Sequence, residues 1–139
     1  MMRTKAASYA LLAMYEIGRR QKSAAATGIQ AGDIAHKYRL PSAYCAKVLS
    51  QLARAGVLRS DRGPHGGFRL NRPADKITLY DIFDGVGGLM PESGVAAVPG
   101  LPNAVQSTLN KAYAESALKL REILRRTNLT DILGGNGPR

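Results

Sequence analysis

The stretch from residue 41 to residue 70 restricts the fold more than any other. From Pro41 to Ala55 the apolar residues Cys45, Val48, Leu49 and Leu52 recur at i, i+3, i+4 and i+7, the spacing of one helical face. Ser42, Ala43, Ala46, Lys47, Ser50 and Arg54 take the opposite side, and all are small or basic. A helix with such an outer face can lie close to a phosphate-lined groove, having neither bulk nor negative charge to hold it off. Gly56 follows, the residue type that ends helices in the left-handed conformation. The period then changes to two short strand-like runs, 57–60 and 68–70, either side of Asp61-Arg62-Gly63-Pro64-His65-Gly66-Gly67. That is the pattern of a β-hairpin, and Arg59, Arg62, Arg69 and Arg72 decorate it.

The flanking segments supply the rest of a small, mainly helical domain. From Arg3 to Arg20, Tyr9, Ala10, Ala13, Met14 and Ile17 form one stripe of an amphipathic helix. Gln21 to Gly28 reads as a loop, and Gly32 to Tyr38 as a short helix with Ile34 and Ala35 inward. Pro41 disfavours helical geometry at Leu40, so Arg39-Leu40 is a tight turn. Thr78 and Asp81 have the spacing of a capping box opening a helix to about Val86, which Gly87-Gly88 ends. Residues 89–102, rich in Gly, Pro, Ala and Ser, read as a loop.

A long helix is expected from about Asn103 to Arg126, with Val105, Leu109, Ala112, Ser116, Leu120 and Ile123 along one seam. Little of the chain remains to cover that seam, so a second copy is its simplest burial site. Packing onto its own domain, or onto a membrane surface, are the rivals; Glu115 and Glu122 and the modest apolar face argue against the membrane. Beyond Gly134 a frayed tail is expected. The fold class is therefore mainly α with a small β-hairpin. It divides into residues 1–88, a loop at 89–102, and a dimerisation helix with its tail at 103–139.

Charge is unevenly placed. The chain has 20 Lys+Arg against 10 Asp+Glu, for a net charge of +10. Residues 1–72 hold 13 of the basic residues against Glu16, Asp33 and Asp61, while residues 73–139 hold 7 of each sign. The excess lies wholly in the first part, which a polyanion would meet. The single cysteine, Cys45, excludes an intrachain disulfide and a thiolate-rich metal site within one chain. Arg3 and Lys5 ahead of an apolar stretch superficially suggest a secretion signal. Glu16 interrupts that stretch, however, and Arg19, Arg20 and Lys22 occupy the cleavage region, so a cytoplasmic protein is expected. No uncharged run is long enough to span a bilayer.

Helix, short helix, turn, helix and basic hairpin, in that order, make a winged helix-turn-helix. Ala43-Tyr44, Ala55-Gly56-Val57-Leu58, the run Arg62 to Leu70, Ile77-Thr78-Leu79 and Asp81-Ile82 sharpen the match. Together they resemble the bacterial winged-helix repressor family that includes the iron–sulfur cluster regulator, the nitric-oxide-sensing repressor and the cysteine-metabolism repressor. The resemblance runs from about Met2 to Leu133. It implies that the helix from Pro41 enters a major groove, with Ser42, Ala43, Ala46 and Lys47 at base-reading and backbone positions and Tyr44 on a phosphate. Arg62 and the turn containing Gly63, His65 and Gly66 would sit at a minor groove. Arg54, Arg59 and Arg69 complete the expected DNA-binding set, and the long C-terminal helix would form the dimer.

Two departures from the family pattern stand out. Ala46-Lys47 replaces a Glu-Gln pair, and alanine cannot accept the hydrogen bond a glutamate takes from cytosine. The loop at 89–102 has none of the three cysteines of cluster-binding members, and Ser8 stands where a carboxylate ligand would be. A cysteine-ligated iron–sulfur sensor is not expected, and no cofactor is assigned.

The expectation is a bacterial, homodimeric, sequence-specific DNA-binding regulator, most simply a repressor. It would occupy a near-palindromic operator, with an effector (a small molecule or a protein) acting through the loop at 89–102. The rival is a winged-helix interaction module docking an acidic protein. Gly63 to Gly67 opens onto a strand with no Lys-Ser/Thr pair, against a phosphate-binding loop. Cys45 lies on the core stripe, where packing explains it better than redox switching. His36 and His65 lack a third ligand nearby. Tyr9, Tyr15, Tyr80, Phe83 and Phe68 suit packing, and Tyr113 suits either the seam or an effector pocket. No nucleophile–base pair or carboxylate pair points to an enzyme.

Overall fold

The computed structural model describes residues 5–21, 28–63, 66–89 and 96–135. Helix α1 (Lys5–Gln21) runs through the centre of the domain and buries Ala10, Ala13, Met14 and Ile17 completely. The three alanine and glycine positions at 10, 13 and 18 let neighbours approach its axis; Leu129 and Leu133 sit within van der Waals reach of Gly18. Helix α2 (Ala31–Tyr38) contributes Ile34 and Ala35, and α3 (Ser42–Arg54) contributes Cys45, Val48, Leu49 and Leu52. These are the predicted inward stripes. Truncating any of the large ones to alanine would cost about 2–5 kcal/mol.

Between α2 and α3 the chain turns at Arg39, whose left-handed φ of 55° lets its N–H cap the end of α2. Pro41 occupies the N-cap of α3, one position before the helix proper. After α3, Gly56 takes φ 81° and delivers the chain into the hairpin of β1 (Leu58–Asp61) and β2 (Gly67–Leu70). The register pairs Leu58 with Leu70, Arg59 with Arg69, Ser60 with Phe68 and Asp61 with Gly67. The hairpin has a third partner. Ile29 and Phe68 exchange backbone hydrogen bonds of 2.9 and 2.8 Å, so residues just before α2 add an antiparallel rung.

A 3-10 turn (Ala74–Lys76) leads to α4 (Leu79–Gly85), which opens with the expected capping box: Asp81 N–H donates to Thr78 Oγ1, and Thr78 N–H to the Asp81 carboxylate. The long helix α5 (Asn103–Arg125) then extends away. Its C-terminal half docks by Ala117, Arg121 and Leu124, and Leu124 joins Ala7 and Phe83 in a small second cluster. None of residues 103–116 is buried.

Residues 129–134, expected within the dimerisation segment, instead form helix α6 (Leu129–Gly134) packed on α1, with Leu129 in the main core. Leu129 N–H donates to Ile77 C=O at 2.8 Å and Leu79 N–H to Thr127 C=O at 2.8 Å, tying the end of α5 to the start of α4. Among the described residues no helix is long and apolar enough to cross a membrane.

Candidate nucleic-acid interface

Helix α3 turns a continuous outer face to solvent. Ser42, Ala43, Lys47, Ser50 and Arg54 are exposed, Ala46 is half-buried, and the helix carries no acidic side chain. Tyr44 is half-buried because its ring meets Tyr9 edge-on at 5.1 Å, which also fixes α3 against α1. Cys45 lies in the core, and burial pushes its thiol pKa up, so it stays protonated.

The hairpin opens on the same side. An open cleft of about 500 Å³ is lined by Ser50, Ala53 and Arg54 from α3 and by Leu58, Arg59, Ser60, Phe68 and Asn71 from the hairpin region. Helix and wing therefore face one groove. Arg62 and Gly63 are exposed at the wing's tip, while Pro64 and His65 fall outside the described residues.

Three of the expected contact residues, Gly66, Arg59 and Arg69, also make contacts inside the chain. Gly66 is buried: its N–H donates to Gly63 C=O at 2.9 Å and its carbonyl accepts from Gln30 Nε2 at 3.0 Å. Both polar groups are used inside the chain, so Gly66 shapes the wing. Arg59 and Arg69 stand directly opposite each other in the ladder, a pairing of like charges that would repel. Asp61 resolves it, with Arg59 Nε 3.2 Å and Arg69 Nε 2.7 Å from its carboxylate oxygens. Arg69 is left 23% exposed and Arg59 55%. Arg72, read as part of the hairpin's decoration, instead donates to Lys76 C=O and pairs with Asp81 at 3.6 Å. Asp61 and Gln30 are the residues that reading the chain missed. The like-charge register at Arg59 and Arg69 was the one available signal for Asp61.

A second electrostatic centre lies between α1 and α2. The Glu16 carboxylate is wholly buried on α1, where it accepts from Arg19 Nη2 (2.7 Å) and Arg20 Nε (2.5 Å) at one oxygen and from Lys37 Nζ (2.9 Å) and Tyr38 Oη (2.8 Å) at the other. Burial alone would raise its pKa, but the hydrogen bonds from Lys37, Arg19, Tyr38 and Arg20 outweigh it and hold the carboxyl well below the usual range. Burial and the same contact push the Tyr38 hydroxyl up. Read along the chain, Glu16 merely interrupted an apolar stretch.

On α5, Val105, Leu109, Ala112, Ser116 and Ile123 are exposed, and Leu120 is partly covered by the small cluster of Ala7, Phe83 and Leu124. Among the described residues no three His, Cys, Asp or Glu side chains come together as metal ligands.

Residues 3–135 match the model of the Rrf2 family, described as an iron-dependent transcriptional regulator. A helix-turn-helix-type transcriptional regulator of Mycobacterium tuberculosis is 27% identical over 133 residues, covering 95% of this chain and 81% of the relative. The transcriptional regulator IscR of Cereibacter sphaeroides is 27% identical over 128 residues, covering 90% and 82%. Among solved structures, CymR, the global cysteine regulator of B. subtilis, superposes with a TM-score of 0.71 at 26% identity over 96% of both chains.

Proposed function

The chain belongs to the Rrf2 family of transcriptional regulators, and from that premise we propose that it represses transcription by binding a near-palindromic DNA operator as a homodimer. The observation that carries this is the shared cleft in which Ser50 and Arg54 of α3 face Arg59 and Ser60 of the wing. In the proposed complex Ser42, Ala43, Ala46 and Lys47 meet the major groove, Tyr44 and Arg54 meet phosphates, and Arg62, Gly63 and His65 meet a minor groove, with Arg59 beside them. Asp61 keeps Arg59 and Arg69 ordered. Two-fold symmetry would set half-sites about one helical turn apart or somewhat more.

The dimer is proposed through α5, whose first fourteen residues include none that is fully buried in their own chain and expose Val105 and Leu109. An effector would bias the dimer between binding and non-binding geometries through the loop at 89–102. The donor set does not fit a cysteine-ligated cluster: the chain's one thiol, Cys45, is a core residue. The proposed signal is therefore something other than such a cluster.

Genomic fragments selected with the purified protein, with and without cell metabolites, test the proposal. Binding should fall steeply with salt. Arg62→Ala should weaken it and Lys47→Ala should alter its sequence preference, whereas Lys119→Ala, on the exposed side of α5, should leave both unchanged. Equal losses from Lys47→Ala and Lys119→Ala would contradict the contact face, and a shift indifferent to Arg62→Ala would favour docking on an acidic protein.

A further inference from the structure

We propose that the corner formed by Arg19 and Arg20 at the end of α1, Lys37 on α2 and Arg39 in the turn to α3 is a second phosphate-binding surface, gripping DNA backbone outside the base-read stretch. This rests on the DNA-binding reading above and extends it to a face that neither α3 nor the wing provides.

Five of the cations in residues 1–72 lie on α3 and the hairpin as expected contacts (Lys47, Arg54, Arg59, Arg62 and Arg69), and two of those share Asp61. Four more gather at this corner. Glu16 holds three of them around one buried carboxylate, yet their side chains remain 47% (Arg19), 40% (Arg20) and 43% (Lys37) exposed. One buried negative charge against three exposed positive ones leaves the corner cationic. Because Glu16 already restricts these long side chains, less rotamer freedom remains to be given up on meeting an anion. The Arg19 guanidinium also has five N–H donors, more than one carboxylate oxygen can use.

The corner is continuous with the reading helix. A second open cleft, of about 620 Å³, is lined by His36, Lys37, Arg39 and Leu40 and ends at Ser42, the first residue of α3. Lys37 thus borders both the Glu16 cluster and the cleft that leads to the proposed groove-facing side of α3. A polyanion laid along α3 would pass beside it. Phosphodiesters fit the chemistry: Arg19, Arg20, Lys37 and Arg39 offer several cationic donors on one surface, the groups that position a nucleic-acid backbone.

The test compares the full-length protein with two variants on an operator duplex recovered by the selection above and on a scrambled duplex of equal length. Arg39→Gly removes a charge at a left-handed position that glycine adopts freely and touches none of the Glu16 contacts. Arg19→Gln leaves Arg20, Lys37 and Tyr38 on the carboxylate. Each should weaken both duplexes by the same several-fold factor and leave the operator-to-scrambled ratio intact. Each should also flatten the plot of log affinity against log salt by about 0.9 for every phosphate the variant no longer neutralises. Wild-type affinity and slope in both variants would overturn the proposal, as would a change in the ratio without a change in slope. If the wild type itself bound neither duplex, the DNA reading would fail before the corner was at issue.

Discussion

Glu16 shows how one side chain can join two helices. Its carboxylate is sealed from water, and stays ionised because four donors from α1 and α2 converge on it. Replacing it with glutamine keeps the shape but removes the charge its partners surround. Glu16→Gln should lower stability by about 3 kcal/mol, the low end for breaking a buried ion pair, since the cations retain water. The pH dependence has a definite sign. The folded pKa lies below the unfolded value of about 4.5, so the stabilisation is complete above that value and is lost as pH falls. Thermal melts from pH 6 down to pH 3 should show a steeper loss in the wild type than in Glu16→Gln. Parallel curves would mean that the carboxylate does not act this way.

The wing owes its aim to close backbone packing. A Cβ on Gly28 would stand 2.6 Å from Gly66 C=O, one on Gly67 would stand 2.7 Å from Ile29 C=O, and one on Gly66 would collide with Asp61 C=O. Three glycines thus let the residues before α2 and the neck of the hairpin touch, with Gln30 closing the contact. Gly66→Ala must push the strands apart, at a cost of about 1–3 kcal/mol. Amide exchange should rise at Ile29 and Phe68, whose mutual hydrogen bonds would weaken, while α1 stays protected. Unchanged protection at those two amides would show that the neck tolerates a methyl group. The reading of 57–70 as a hairpin was available from its turn residues; its third rung at Ile29 was not, because a single bridging residue has no period to recognise.

The chain as a whole is a compact domain with a projecting arm. The domain is closed by α6 and by the backbone bonds between Leu129 and Ile77 and between Leu79 and Thr127, so the docked end of α5 is rigidly seated. The other end exposes Val105 and Leu109, and a second copy would cover them. Leu109→Glu should leave the fold intact, since the residue touches neither core cluster, and should convert the proposed dimer to a monomer with much weaker binding to the proposed operator. Light scattering beside a melt reads both. A dimer that survives the substitution would move the interface elsewhere on the molecule.

What neighbours along the chain decide was legible from the start: the stripes of α1 and α3, the caps at Thr78 and Asp81, the turn at Arg39, the hairpin around its glycines, and the long exposed seam. Each depends on spacing or on backbone preference within a few residues. The partners of Glu16, the tether of Arg59 and Arg69 to Asp61, the inward turn of Gly66 and the return of α6 to α1 join positions from two to more than a hundred residues apart. They arise only when packing brings those groups within a few ångströms and excludes water. Burial and hydrogen bonding then fix which charges are held in place and which stay exposed to meet a partner.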